Sequence, residues 1–257
     1  MHWLFLHSKY KESLKKYKQL FKQKLFFICL IISSQFINAQ RSVSSYTYGV
    51  DSVGGVSSYS FTQYGITVDE LNSADGSPYL NKEFVHGTIT IGDKEHPSYM
   101  RYNVFFDEIE ISKMPDPEGY DGIGALRKDP LITATFNGKT FVYMQVGEGA
   151  NKQGSYLQIL SKGKQFDLYM KSSVSYRPPT YSTNGYDKPR PGRFDTTHLF
   201  FLVSKRNRFI PIPDKHRALL GMISYKKDEL KQFLKKNRIK LDKIDDVKKF
   251  VAFYNAL

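Results

Sequence analysis

The segment Leu131-Ile132-Thr133-Ala134-Thr135-Phe136-Asn137-Gly138-Lys139-Thr140-Phe141-Val142-Tyr143-Met144-Gln145-Val146 decides how this chain folds. Two runs rich in β-branched and aromatic residues flank an Asn-Gly pair. That pair is the strongest short-range hairpin signal, because both central residues of a type I′ turn take positive φ. The spacing predicts strands over Leu131 to Phe136 and Thr140 to Val146. Downstream, Ser155 to Leu160 and Gln165 to Val174 surround Lys162-Gly163, again with a glycine where the chain reverses. Upstream, Phe84 to Ile91 reads as a strand turned by Gly92-Asp93, and Tyr99 to Ile111 as one long strand or two broken near Asp107. His198 to Val203 and Phe209 to Ile212 also have strand character. Gly147, Gly149 and Gly154 suit a strand-to-strand loop. They do not make a phosphate cradle, which would place helix amides at the anion and end in Lys-Ser/Thr.

The period changes near the C-terminus. Leu230, Phe233 and Leu234 share one face of a helix that Ser224 can cap, with Asp228 and Glu229 near its positive end. Ile244, Val247, Phe250, Val251, Tyr254 and Leu257 recur at intervals of three and four, which is a helical stripe. Short amphipathic helices are marginal alone in water, so they are expected to pack on one another or on the sheet. The fold class expected is α+β: a mainly antiparallel β-sheet or partly closed barrel (residues 81–212) followed by short C-terminal helices, a basic tail (213–257) packed on the sheet.

The N-terminus has a different layout. Seven lysines between Lys9 and Lys24 precede the apolar run Leu25 to Ile32, which gives way to the small and polar segment Ser33 to Ala39. That order is the charge, core and cleavage pattern of a secretory signal over residues 1–39, cut after Ala39. Even extended through Ile37 the run is thirteen residues long. A permanent span needs about 20 predominantly apolar residues, so no transmembrane segment is expected after cleavage. Residues 40–80, rich in serine, glycine and tyrosine, are expected to be an extended, partly disordered lead-in. The single cysteine, Cys29, falls inside the signal, so the mature chain excludes thiol nucleophiles and cysteine-ligated zinc.

Charge divides at the helical boundary. Residues 40–204 hold 16 basic and 18 acidic residues, whereas 205–257 hold 15 and six, a net +9. This basicity suits a solvated helical face or attraction to an anionic envelope surface. A nucleic-acid partner is not expected after export.

The order Gly76-Ser77-Pro78-Tyr79-Leu80-Asn81-Lys82-Glu83-Phe84, then Arg101-Tyr102-Asn103-Val104-Phe105-Phe106-Asp107-Glu108-Ile109-Glu110, resembles a group of uncharacterised exported proteins of Bacteroidota-type cell envelopes. The similarity continues through Lys164-Gln165-Phe166-Asp167-Leu168-Tyr169, the tail from Lys226 to Leu257 and the signal ending Ile37-Asn38-Ala39-Gln40. The resemblance implies a periplasmic or outer-membrane-associated protein with a sheet and a helical tail. It brings no catalytic residues.

No catalytic or metal signature emerges from the residues themselves. Acidic side chains gather at Asp107, Glu108, Glu110, Asp116, Glu118 and Asp121, which suggests a carboxylate hydrolase as an alternative function. The loop from Asp116 to Gly122 misses calcium-loop spacing. His86, His96, His198 and His216 form neither H-x-H nor H-E-x-x-H, and a zinc site needs three or four converging ligands. No G-x-S-x-G elbow occurs, so no catalytic residue, metal or cofactor is assigned. The candidate binding residues lie in the long proline-rich stretch from Arg177 to Thr197 and just before it: Tyr176, Arg177, Tyr181, Tyr186, Arg190 and Arg193. Tyrosine and arginine are enriched at binding hot spots, and loops of this length are commonly functional or disordered. The function expected is that of an exported, non-enzymatic envelope protein, a binding or accessory subunit for another macromolecule. Its partner would be an envelope protein or an anionic envelope surface.

Overall fold

The computed structural model describes residues 54–55, 61–117, 122–147, 152–181, 188–206 and 208–257, all within one compact unit, Tyr46–Leu257. Among the described residues eleven strands form a single antiparallel sheet. They are β1 (Gly54–Gly55), β2 (Val85–Ile91), β3 (Lys94–Asn103), β4 (Glu108–Ser112), β5 (Ile123–Leu126), β6 (Ile132–Phe136), β7 (Lys139–Val146), β8 (Gln153–Ser161), β9 (Phe166–Arg177), β10 (Arg193–Ser204) and β11 (Phe209–Ile212). The spatial order is β1-β5-β4-β3-β2-β6-β7-β8-β9-β10-β11, two meanders running in opposite directions from the β2–β6 seam. The sheet does not close into a barrel, so of the two expected arrangements the open one holds.

The deciding hairpin is β6–β7, in register from Thr133↔Val142 to Phe136↔Lys139, with Asn137 at φ 51° and Gly138 at φ 67°. Its alternation buries Ile132, Ala134, Phe136 and Phe141 on one face. The row Phe141–Gln158–Met170–Phe200 carries that face across β7 to β10. Two separate cores fill it. The first, beneath β2 to β8, is made by side chains of the sheet itself, among them Ile89, Met100, Tyr102, Ile109, Phe136, Phe141 and Tyr156. The sheet curls over this core far enough for the Tyr156 hydroxyl on β8 to donate to the Leu126 carbonyl on β5 at 3.1 Å.

The second core lies on β9 to β11, and helices cover it. These are α2 (His216–Met222), α3 (Lys227–Lys236) and α4 (Ile244–Ala256). Leu168, Met170, Phe200 and Leu202 from the strands meet Leu219, Leu230, Leu234, Val247, Phe250 and Val251 from the helices. Phe233 of α3 stacks on Phe253 of α4 at 4.0 Å between centroids. Asn255 then ties α4 to the β8–β9 turn: its Oδ1 accepts from the amides of Gln165 and Phe166, and its Nδ2 donates to the Phe166 carbonyl. The reverse face holds a smaller cluster, Leu157, Tyr169, Phe201 and Val203, to which no described helix contributes.

Several elements depart from the sequence reading. The lead-in contains a 3-10 turn (Phe61–Tyr64) and a short helix, α1 (Val68–Ser73), fixed by a capping box between Thr67 and Glu70. Ser224 does not cap α3. A turn intervenes, and Lys226, at φ 53°, precedes the first helical residue. Helix α2 and strand β5 are additions, both too short for periodicity to announce. Strand β3 begins at Lys94, and the long strand breaks at Val104 to Asp107, where Asp107 takes φ 53°. Strand β9 runs three residues past Val174 to Arg177, and β10 takes in the last five residues of the stretch expected to be irregular, because cross-strand pairing from Arg193↔Arg177 to Ser204↔Phe166 overrides its weak local preference. Among the described residues no helix is long and apolar enough to cross a membrane.

Candidate binding surface

Strands β9 and β10 make the longest ribbon in the sheet, and beyond their last register pair it is carried on by Thr180 and Arg190. These two exchange both backbone hydrogen bonds at 3.0 Å. The proline-rich segment is therefore a two-stranded arm. Its tip, 182–187, with Tyr186, lies outside the described residues. Tyr181 is 73% exposed beside it, and Lys188 and Arg190 are exposed on the returning strand.

The base of the arm holds the other candidates in structural roles. Asp195 is shared by two guanidinium groups, accepting from Arg177 Nε at 2.6 Å and Arg193 Nε at 2.8 Å. Both arginine side chains stay mostly exposed, so this charged triad is fixed in position yet open to solvent. Tyr176 points the other way. Its ring packs on Phe194 at 4.8 Å in an aromatic cluster with Phe61, Phe105 and Phe106, and its hydroxyl is buried without a described partner. Burial pushes its phenol pKa up, with Glu70 nearby adding to the effect. A Cβ at Gly192 would lie 2.5 Å from that hydroxyl, so any larger residue there would have to displace the Tyr176 ring. Of the six candidates, the structure presents Tyr181 and Arg190 outward, holds Arg177 and Arg193 on Asp195, and packs the half-buried Tyr176 into the arm's footing, while Tyr186 lies outside the described residues.

The carboxylate cluster is organised differently. Asp107 Oδ1 accepts the Tyr102 hydroxyl at 2.5 Å and the Tyr156 amide at 3.2 Å. It thereby fills a place that β9 leaves vacant, since β8 pairs with β9 only from Gln158 to Ser161. Burial first, then the Asp107 charge, raises the pKa of both Tyr102 and Tyr156, so both phenols stay protonated. Glu110 is buried and takes Arg101 Nε at 2.6 Å and Asn103 Nδ2 at 2.9 Å. Arg101 is sandwiched between the rings of Tyr79 and Phe84 at 4.3 and 4.4 Å. Glu108 is buried, Asp116 is exposed, and Glu118 and Asp121 lie outside the described residues. Asp107 and Glu110 thus spend their acceptor capacity on structure. Among the described residues no group of three or more His, Cys, Asp or Glu could hold a metal.

The histidines are dispersed. His86 meets Tyr99 edge to face, and His216 Nε2 lies 2.7 Å from the Ile239 carbonyl. His198 Nδ1 lies 3.1 Å from Ser172 Oγ across β9–β10, and no described carboxylate bonds to the ring to complete a triad. Partial desolvation, with Lys139 adding like charge, lowers the His198 pKa. At the β8–β9 turn, Asp167 joins Lys162 and Lys205. Burial alone would raise the Asp167 pKa, but hydrogen bonds from Lys205, the Gly163 amide and Lys162 hold it low.

The sequence reading left Thr196 and Thr197 in the loop. Both are exposed β10 residues, with Leu199 55% exposed beyond them. Two adjacent threonines after Phe194 were the available strand signal, overshadowed by the prolines at 178–191. Comparison with protein-family models, curated proteins and solved structures finds no match.

Proposed function

We propose that the chain is exported, cut after Ala39, and acts in the periplasm or at the outer membrane as a non-enzymatic binding or accessory subunit, as the resembling envelope group would suggest. The observation that carries this reading is the β9–β10 arm. A hydrogen-bonded ribbon presents Tyr181 and Arg190 to solvent on a base where Arg177 and Arg193 share Asp195. Flat aromatic and guanidinium groups held out on an ordered scaffold bury area on a partner at low entropic cost. Two of the carboxylates that a hydrolase would need, Asp107 and Glu110, are engaged in the fold, which weakens that alternative. N-terminal sequencing of the native product should begin at Gln40. A product beginning at Met1 in soluble cytosol would overturn the assignment. Tyr181→Ala with Arg190→Ala should abolish recovery of the native envelope partner without lowering the melting temperature, and unchanged recovery would remove the arm.

A second reading rests on α3. Lys227, Lys231, Lys235 and Lys236 are exposed, and none is in an ion pair with a described residue. Such a face would attract an anionic envelope surface. Flotation with anionic but not neutral vesicles, lost at high salt, would support it. Equal flotation with both would count against it.

A further inference from the structure

We infer that the outer edge of β10 between Asp195 and Leu199 is a slot for a short extended peptide, which would add a strand to the sheet. This deepens the binding reading above by naming the form of the partner. The slot is defined at both ends. Strand β11 pairs with β10 only from Phe200 to Val203, and at the other end Asp75 exchanges backbone hydrogen bonds with Gly192 and Phe194. Backbone groups at Gly192, Phe194 and Ser204 therefore point away from β9. By the strand's alternation those of Thr196 and His198 point the same way, with no described partner. Thr196, Thr197, His198 and Leu199 are all exposed.

Proteins ordinarily blunt such edges with proline, lysine, a bulge or a covering element. The neighbouring strand does so: on β11 the alternation turns Pro211, which lacks an N–H, toward the free side. The β10 slot instead carries Asp195-Thr196-Thr197-His198-Leu199, strand-favouring in its threonines and free of proline and lysine. Among the described residues a stretch of five positions, about 17 Å at the usual rise, is left uncovered between two covered ones.

Length selects the occupant. A second copy pairing through its own β10 would continue past both ends of the slot and meet β11 and the Asp75 segment. A peptide of about five residues from another protein fits between them. Side chains alternate across the edge, so one residue of the peptide would lie beside Leu199 and should be apolar, while those beside Thr196 and His198 should be small or hydroxylated.

The test uses the processed protein purified from its native envelope and a fluorescent acetyl-Thr-Val-Thr-Val-Thr-amide peptide, read by anisotropy and by amide hydrogen exchange. Binding should slow exchange at Thr196 and His198. Thr196→Pro removes an outward donor that the sheet does not use, and it should weaken binding by about tenfold, the effect of one or two lost backbone hydrogen bonds. A peptide N-methylated at alternate amides leaves the protein untouched and should fail to bind. No binding at millimolar peptide, or equal binding by Thr196→Pro or by the methylated peptide, overturns the slot. Binding lost with Tyr181→Ala and Arg190→Ala but kept with Thr196→Pro also overturns it, while leaving the arm as the binding surface.

Discussion

Two regions of one sheet bury the same face by different means. From β2 to β8 the strands curl until their own side chains fill the concavity, and Asp107 and Tyr156 latch the curl from opposite ends. From β9 to β11 the sheet is covered by α2, α3 and α4. The difference goes with the short pairing of β8 with β9, from Gln158 to Ser161 only, and with what covers each side of it. Large aromatic residues such as Tyr102, Phe141 and Tyr156 bridge the curled surface, whereas Leu168, Met170, Phe200 and Leu202 of β9 and β10 pack against a second layer of helices. A self-covered region is defined by its strands alone. A lidded one depends on helices that follow its strands in the chain.

Breaking the lid should have the largest effect. Phe250→Ala empties a fully buried site on α4 and should cost about 3–5 kcal/mol by urea denaturation. Amide exchange should then accelerate on β9 to β11 before β2 and β3, and equal acceleration would show that the two regions unfold as one. The latch of the curled region comes next. Asp107→Ala strands the buried Tyr102 hydroxyl and the Tyr156 amide and should cost about 1–3 kcal/mol. Asn255→Ala frees α4 from the β8–β9 turn and should cost about 1–2 kcal/mol, while leaving exchange in β2 and β3 unchanged.

Acid should also separate contributions. The folded His198 pKa lies below its usual 6.5, so the unfolded chain binds more protons just under that value. Its contribution is present above about pH 6.5 and shrinks as pH falls through the depressed folded pKa, and His198→Asn should flatten this slope in pH-dependent melts. Asp167 acts lower. Its pKa is held beneath 3.8, so the stability it gives is present above that pH and is lost as pH falls through the folded value. The smallest effect belongs to the arm: Arg190→Ala should change stability by less than about 0.5 kcal/mol, as for other exposed positions.

How much of this was legible depended on how local the signal was. Asn137-Gly138 placed a hairpin because the turn needs positive φ at both positions, and the stripe from Ile244 to Tyr254 placed α4 because its burial repeats with the helical period. Helix α1 could have been read from Thr67 and Glu70, whose spacing is that of a capping box. The β2–β6 seam, the wedge at Asp107 and the footing of Tyr176 join residues far apart in sequence, and no local pattern encodes them. The same holds for the candidate surface. Its tyrosines and arginines could be named from composition, but which face outward was decided by pairing between Thr180 and Arg190 and by the shared carboxylate of Asp195.

The short lead-in around α1 is stitched in two places, to β3 through Pro78 and Leu80 and to β10 through Asp75. The first attachment closes a loop of about two dozen residues and the second one of more than about a hundred, so the second carries the larger entropic cost of closure. The stretch is thus anchored locally whatever the state of β10, and its remote tie forms only once β10 is in place.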